Sequence, residues 1–253
     1  MPPEPSRPRS QSAAQAALHA ARRSLAGTEP PRYEHYWSIF YDEVRGALAP
    51  GARVLDIGSG AEPTVPPPQR PEGMHYAGLD VSAAELDRAP AGSYDQTLVA
   101  DLVHPRPELQ GGFDLIVSRQ VLEHVRPLPA AIANLHRWLR PGGTMVHRLS
   151  GARSLPSLLN RALPERAAEA LEGRLRGREP DSIFPAHYDH CTHDELVALL
   201  APFARATVIP QFLGARYFPW SRPACAVYLG FEEVLYRRDL RNLATYYVVS
   251  ARR

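Results

Sequence analysis

A chain of 253 residues, 44% of them hydrophobic and 22% charged, is long enough for one domain with a substantial core. The formal net charge of only +2 gives no global positive field, so we expect neither nucleic acid nor an anionic membrane surface as a partner. All 29 basic residues are arginine, which excludes lysine-based chemistry such as a Schiff base.

The cysteine content and the N-terminal segment predict the compartment. Cys191 and Cys225 are too few for a disulfide framework and suit a reducing environment. No apolar run reaches the roughly 18 residues that a membrane span needs. Residues 1–32 lack the apolar centre of a secretory signal, so we expect a flexible tail and a surface helix there, in a cytoplasmic protein.

The elements predicted from residue 33 onward alternate between helices and strands. Apolar residues at helical spacing predict an amphipathic helix over 33–48. Short apolar runs predict a strand from Arg53 and further strands over 75–79, 96–100, 113–117 and 144–149, with a helix opening at Pro127 before the fifth. This alternation implies parallel strands with right-handed crossovers.

Five prolines between Pro63 and Pro71 separate the first two strands. Proline at that density cannot sustain a full helix, so we expect an extended loop where the crossover helix normally lies.

The second half of the chain begins with a long irregular segment, 151–190, which we interpret as a helical insert forming a lid or an acceptor site. Thr192 and Glu195 form a capping box that predicts a helix through Leu200. A strand over 206–209, a helix over 225–236 and a last strand over 244–250 complete a single domain over 33–253.

The most informative motif is Val-Leu-Asp-Ile-Gly-Ser-Gly at 54–60, an apolar strand that closes in an acid and a G-x-G turn. The next strand ends in Asp80, about 20 residues further on, where nucleotide-binding sheets hold a ribose by its hydroxyls. The pairing predicts an enzyme that binds an adenosine cofactor.

With these landmarks, the chain resembles the class I S-adenosylmethionine-dependent methyltransferases of the small-molecule group. The matching segments are 54–60, 78–82, 100–101, 113–118, 121–125 and 139–143. The resemblance covers about residues 34 to 150 and implies an α/β fold. That fold is a doubly wound, mostly parallel, seven-stranded Rossmann-like sheet whose final strand runs antiparallel between strands five and six.

The resemblance also implies a binding site for S-adenosyl-L-methionine. Asp56, Gly58 and Gly60 would form the loop under the methionine moiety, and glycine allows the backbone to approach a ligand. The other implied contacts are Asp80 with the ribose hydroxyls, Asp101 and Leu102 with the adenine, and Ser118 beside the transferred methyl group. An aspartate can accept both hydrogen bonds of a vicinal diol.

One departure from the family pattern concerns the cofactor carboxylate. Ala61, Glu62 and Pro63 begin the proline loop where family members continue into a helix. The carboxylate is therefore expected to meet a loop, or an arginine such as Arg70, instead of a helix N-terminus.

Two histidines are candidate catalytic bases. Methyl transfer needs a base only when the acceptor is a hydroxyl or amine that must lose a proton. His124 lies in the turn after strand four and His187 at the end of the insert. A structural role for His124, pinning that loop, is the alternative, and we expect neighbouring Glu123 to be a hydrogen-bond anchor.

The residues His187, His190, Cys191 and His193 superficially suggest a metal site. Thr192, as the N-cap, places His190 before the helix and His193 inside it, so the side chains point apart. We therefore expect no metal site.

Two aromatic groups have two interpretations each. Tyr33, Tyr36 and Trp37 either cover the sulfonium, which gains cation–π attraction beside aromatic faces, or face the core. The second group, which either lines the acceptor pocket or packs, is Tyr217, Phe218 and Trp220.

The function expected from these residues is methyl transfer to an oxygen or nitrogen atom of a small organic acceptor such as a sugar, lipid head group or secondary metabolite. A nicotinamide dehydrogenase would need glycine where Pro63 stands. A nucleic-acid methyltransferase acting on base amines would resemble Asn/Asp-Pro-Pro-aromatic at 118–121, where Ser-Arg-Gln-Val stands. A cofactor-binding regulatory protein without turnover is the remaining alternative.

Overall fold

The computed structural model describes residues 29–162, 185–218 and 221–253, except for the side chain of Trp37. Its strands are β1 (Arg53–Ile57), β2 (His75–Asp80), β3 (Gln96–Val99), β4 (Phe113–Arg119), β5 (Leu139–Ser150), β6 (Arg205–Gln211) and β7 (Tyr246–Arg252). Its helices are α1 (Arg32–Ala47), α2 (Ala83–Asp87), α3 (Leu128–Trp138), α4 (Leu155–Ala162), α5 (His193–Leu199) and α6 (Arg222–Arg237).

The strands form one seven-stranded sheet in the order β3-β2-β1-β4-β5-β7-β6. β7 runs antiparallel to both of its neighbours, β5 and β6. The other four pairings, β3 with β2, β2 with β1, β1 with β4 and β4 with β5, are parallel. The predicted Rossmann-like sheet, with its last strand between the fifth and sixth, is confirmed.

Helices cover both faces of this sheet. The apolar side chains of β1 are buried because helices cover the strand on both sides, as its short apolar run predicts. On one face, Phe40 and Val44 of α1 form a core cluster with Val54. On the other face, Trp138 of α3 and Leu196 of α5 belong to a second core cluster, which contains Leu55 and Ile57 of β1. Because β1, β2, β3, β4 and β5 are parallel, their carboxyl ends lie along the same side of the sheet, which we call the open edge.

The segment between β1 and β2 holds a single 3-10 turn, Pro67–Gln69, and otherwise runs as a loop. The predicted loss of the first crossover helix is confirmed. The proline rings remove the backbone donors that a helix would need.

The start of β5 differs from the prediction, whereas the start of α5 agrees with it. β5 begins at Leu139, earlier than the predicted Thr144, because Leu139 already pairs with Phe113. The intervening Pro-Gly-Gly turn is an irregularity inside the strand, where the register with β4 shifts. α5 begins after Thr192, whose backbone N–H donates to the Glu195 carboxylate as the capping box predicts.

Two predicted segments extend beyond the described part of the chain. The predicted tail and helix over 1–32 fall on residues 1–28 and so lie almost wholly outside it. Of the predicted insert over 151–190, α4 is described and residues 163–184 are not. Among the helices that are described, none has the length and apolarity needed to cross a bilayer.

Candidate active site

The glycine turn after β1 is shaped by backbone conformation and by close packing. Gly58 and Gly60 have φ values of 58° and 47°, in the left-handed region that favours glycine. The Gly58 backbone N–H donates to the carbonyl of Leu79 over 2.7 Å. A Cβ on Gly58 would lie 2.4 Å from a methyl carbon of Val121, so the turn fits directly against the loop that follows β4.

Asp80, the predicted ribose-binding acid, lies beside this turn. Its Oδ2 atom accepts the backbone N–H of Gly60 and its Oδ1 atom that of Ser82, each over 3.0 Å. Burial raises the pKa of this carboxyl, which is 7% exposed. Each carboxylate oxygen retains a further lone pair for a hydroxyl donor.

Asp56 lies within β1, before the glycine turn, and is fully buried. Its carboxylate accepts hydrogen bonds from the Thr64 backbone N–H (2.6 Å), the Thr64 hydroxyl (2.8 Å) and the Tyr76 hydroxyl (2.8 Å). Burial raises its pKa to about 6. These bonds fix the start of the proline loop beneath the glycine turn.

Arg70 braces the same loop. Its side chain donates to the carbonyls of Val65 (2.9 Å) and Ser93 (2.7 Å), and its guanidinium lies 3.7 Å from the ring centroid of Tyr76. Arg70 therefore joins the proline loop to the segment before β3.

Asp101 and Leu102 follow β3 at the same edge of the sheet. Asp101 is exposed, and its Oδ1 atom accepts the backbone N–H of Val103 over 3.1 Å. Leu102 is buried, and its carbonyl accepts the side-chain amide of Asn134 over 2.8 Å. Asn134 on α3 thus fixes the turn that carries the predicted adenine-facing pair.

Ser118 near the end of β4 contacts a histidine that the sequence reasoning missed. The Ser118 hydroxyl lies 2.7 Å from Nδ1 of His147, its register partner on β5, and both residues are fully buried. Burial lowers the pKa of His147 to about 3, so the ring is neutral. The signal that could have identified it was the polar pair His147 and Arg148 inside the buried second half of β5.

The structure brings the segments of the two candidate bases together. The carbonyl of Glu123 accepts the backbone N–H groups of His187 and Tyr188, both over 2.9 Å. Nδ1 of His124 lies 3.1 Å from the carbonyl oxygen of Pro185. The loop after β4 and the end of the predicted insert therefore pack against each other at the open edge.

The predicted anchoring role of Glu123 is confirmed. Its Oε1 atom accepts the backbone N–H of Ser150 over 3.1 Å and the hydroxyl of the same residue over 2.7 Å. These bonds attach the loop after β4 to the end of β5.

The first aromatic group faces the core. Tyr33 and Tyr36 are buried, and the Tyr33 hydroxyl donates to Glu232 of α6. Their packing role is confirmed, while the side chain of Trp37 lies outside the described part. In the second group, the Tyr217 hydroxyl lies 2.7 Å from that of Tyr246, the Phe218 ring packs on Tyr228, and Trp220 is not described.

The histidines before and inside α5 point to separate partners. His190 contacts Asp189 over 2.8 Å, and His193, the first residue of the helix, contacts Asp194 over 3.0 Å. Over residues 29–162, 185–218 and 221–253, no group of three or more His, Cys, Asp or Glu side chains is arranged to hold a metal ion.

The chain is similar in sequence to known methyltransferases. A family model described as "Methyltransferase domain" matches residues 32–201. The malonyl-[acyl-carrier protein] O-methyltransferase of Enterobacter lignolyticus is 32% identical over 135 residues, which are 50% of this chain and 53% of that protein. The trans-aconitate 2-methyltransferase of Deinococcus radiodurans is 32% identical over 146 residues, 55% of each chain.

The chain thus spans about half of the length of these two relatives. A solved S-adenosylmethionine-dependent methyltransferase from Archaeoglobus fulgidus superposes with a TM-score of 0.51 at 15% identity. That match covers 87% of this chain and 94% of the other, and it shows a shared fold.

Proposed function

The chain belongs to the methyltransferase-domain family, whose methyl donor is S-adenosyl-L-methionine, and on that premise we propose that it methylates an oxygen or nitrogen atom of a small organic acceptor. The strongest support for the donor site in this proposal is the contact between Gly60 and Asp80. It sets a glycine turn beside a carboxylate with free lone pairs, at the sheet edge where α/β folds bind nucleotides.

In this proposal Asp80 binds the ribose hydroxyls, and Gly58 and Gly60 let the backbone approach the methionine portion. Asp101 and Leu102 face the adenine. Asp56 acts indirectly, because its three hydrogen bonds hold the proline loop that supports the turn.

The donor supplies a methyl group on a sulfonium, and the acceptor atom displaces it in line. The protein mainly aligns the two molecules and excludes water, and such orientation can lower a barrier by about 7–11 kcal/mol in favourable cases. In this proposal Ser118, near the end of β4, lies beside the transferred methyl group, and its hydroxyl contacts Nδ1 of His147.

His124 is the proposed base for an acceptor that must lose a proton. A carbonyl oxygen can only accept, so the contact with Pro185 places the ring proton on Nδ1 and leaves the lone pair on Nε2. The same contact pins the loop, so one ring serves both of its predicted roles. His187, on the adjoining segment, is the second candidate.

Incubation of the full chain with methyl-tritiated donor and a protein-free metabolite extract tests the proposal. Label in a small-molecule product is expected. If the protein binds S-adenosylhomocysteine yet labels nothing, the regulatory alternative replaces it.

A further inference from the structure

Two arginines lie side by side at the carboxyl ends of β4 and β5. Arg119 is the register partner of Arg148, so both side chains point to the same face of the sheet. Val117 and Val146, two residues earlier on each strand, belong to the core cluster beneath α1. Both arginines therefore lie on the face that α1 covers.

Arg119 connects the glycine turn with α1. One guanidinium nitrogen donates to the Tyr41 hydroxyl over 3.1 Å, and another lies 3.6 Å from a carboxylate oxygen of Glu62. The Glu62 side chain is 86% exposed and that of Arg119 is 35% exposed. An ion pair so open to water is weak, so Arg119 can exchange it for a ligand.

Arg148 is held rigidly in the interior. It is 1% exposed, its Nε atom donates to the side-chain carbonyl of Gln211 over 3.2 Å, and its guanidinium lies 4.0 Å from the ring centroid of Tyr246. Gln211 in turn donates to the backbone carbonyl of Tyr36 over 2.7 Å. These contacts fix the position of the positive charge of Arg148 beside Arg119.

Glu123 supplies a second, independent feature of this cluster. It is buried, and its Oε2 atom makes no hydrogen bond within the residues that the structure describes, although Oε1 is satisfied by Ser150. Ser150 follows Arg148 by two residues on β5, so the two side chains share a face of the sheet, and the bond to Ser150 places the Glu123 carboxylate beside that face. Buried acceptors nearly always have a donor, and a hydroxyl or amine of a bound ligand would supply one here.

We propose that the cluster of Tyr41, Arg119, Glu123, Arg148 and Tyr246 is the acceptor subsite, and that the acceptor carries an oxyanion, either a carboxylate or a phosphate. The inference rests on the proposed function, since the acceptor is that of the methyl transfer. The partly exposed guanidinium of Arg119 matches an oxyanion in geometry and charge, and the buried positive charge of Arg148 beside it strengthens the attraction. Glu123 accepts a hydrogen bond from a hydroxyl or amine of the same molecule.

The position of the subsite suits the reaction. Arg119 directly follows Ser118, and Glu62, its neighbour, lies two residues after Gly60 of the cofactor turn. An acceptor anchored by its oxyanion would therefore hold its reacting atom close to the methyl group, which is what an in-line displacement requires.

Separation of the metabolite extract on an anion-exchange resin tests the proposal without knowledge of the acceptor. The retained and unretained fractions are each incubated with the full chain and methyl-tritiated donor. We expect label from the retained fraction only. Treatment of that fraction with alkaline phosphatase abolishes labelling if the oxyanion is a phosphate monoester and leaves it unchanged if it is a carboxylate.

Variants assign the effect to the arginines. Arg119→Gln should raise the KM for the retained acceptor about tenfold or more through lost charge-assisted bonds, and Arg148→Gln should raise it less, through the loss of a nearby positive charge. Their affinity for S-adenosylhomocysteine should stay within about twofold of the parent. Arg205→Gln, an exposed change at the opposite end of the sheet, is the matched control and should alter neither quantity.

Because Arg148→Gln removes a buried group, Arg119→Gln decides the outcome if the former does not fold. Label from the unretained fraction, an unchanged KM in Arg119→Gln, or a loss of S-adenosylhomocysteine affinity in that variant would each overturn the oxyanion subsite. Failure of the parent chain to bind S-adenosylhomocysteine would instead overturn the proposed function.

Discussion

Gly60 donates its backbone N–H to the Oδ2 atom of Asp80 over 3.0 Å, across 20 positions of sequence. The bond joins the end of β1 to the end of β2 at the open edge of the sheet. Each carboxylate oxygen keeps a further lone pair for a hydroxyl donor, and the position of Asp80 beside the glycine turn carries the assignment of the cofactor site.

Replacement of Asp80 by alanine should weaken S-adenosylhomocysteine binding by about 1–3 kcal/mol, because the ribose hydroxyls lose their acceptor. Isothermal titration calorimetry measures the change. Asp87→Ala, an exposed substitution on nearby α2, is the control and should bind normally. Equal affinity of Asp80→Ala and the parent would refute the ribose assignment.

Gly58 should tolerate no side chain, for a reason the sequence did not reveal. We expected a side chain there to block the approach of the cofactor, whereas the structure places Val121 in its way. Gly58→Ala should cost about 1–3 kcal/mol of unfolding free energy through overpacking, plus about 1–2 kcal/mol for the left-handed backbone. Urea unfolding measures the sum of the two contributions to the free energy of unfolding.

A double variant separates these two causes. Val121→Ala combined with Gly58→Ala should recover the overpacking part but not the backbone part. If the two substitutions are simply additive, the contact between Gly58 and Val121 does not explain the requirement for glycine.

His124→Gln should lower kcat about 100-fold or more if His124 removes a proton from the acceptor. The affinity for S-adenosylhomocysteine should not change, because the ring acts on the acceptor side. His187→Gln tests the second candidate in the same assay, and His35→Gln on the exposed side of α1 is the control. A fall in kcat below about threefold, with the fold intact, removes His124 from the mechanism.

Stability should depend on pH through His147. Its pKa falls from 6.5 to about 3 in the folded protein, so only the unfolded chain takes up this proton between those values. The stabilisation is complete above pH 6.5 and is lost as the pH falls, by up to about 1.4 kcal/mol per pH unit.

Urea unfolding of the parent chain and of His147→Asn at pH 7 and pH 5 tests this dependence. The parent should lose about 2 kcal/mol more than the variant over that interval. Asp56, whose pKa is raised to about 6, changes stability in the opposite direction, but it is present in both proteins and cancels. Parallel pH profiles would show that His147 takes up its proton without unfolding.

Local patterns predicted the sheet well because most of the strands contain a short apolar run that is followed by a polar turn. The motif at 54–60 and the acid at Asp80 identified the first two strands, and the prolines between Pro63 and Pro71 excluded a helix. The start of β5 was missed because Pro141 and the following glycines predict a turn, and only pairing with β4 shows that the strand continues through it.

The site was predicted less completely because its contacts join residues that are distant in sequence. Asp56 was expected at the cofactor; the structure shows in addition that Thr64 and Tyr76 donate to its carboxylate, and no spacing rule reveals those bonds. Arg119 and Arg148 become neighbours only through the register of β4 and β5. A pattern along one strand cannot show this.

A crystal structure of the full chain with S-adenosylhomocysteine tests the central claim most directly. Both ribose hydroxyls should lie within hydrogen-bonding distance, about 2.6–3.0 Å, of the Asp80 carboxylate, with the glycine turn beside the homocysteine portion. A nucleotide bound elsewhere, or an Asp80 side chain turned away from it, would contradict the assignment.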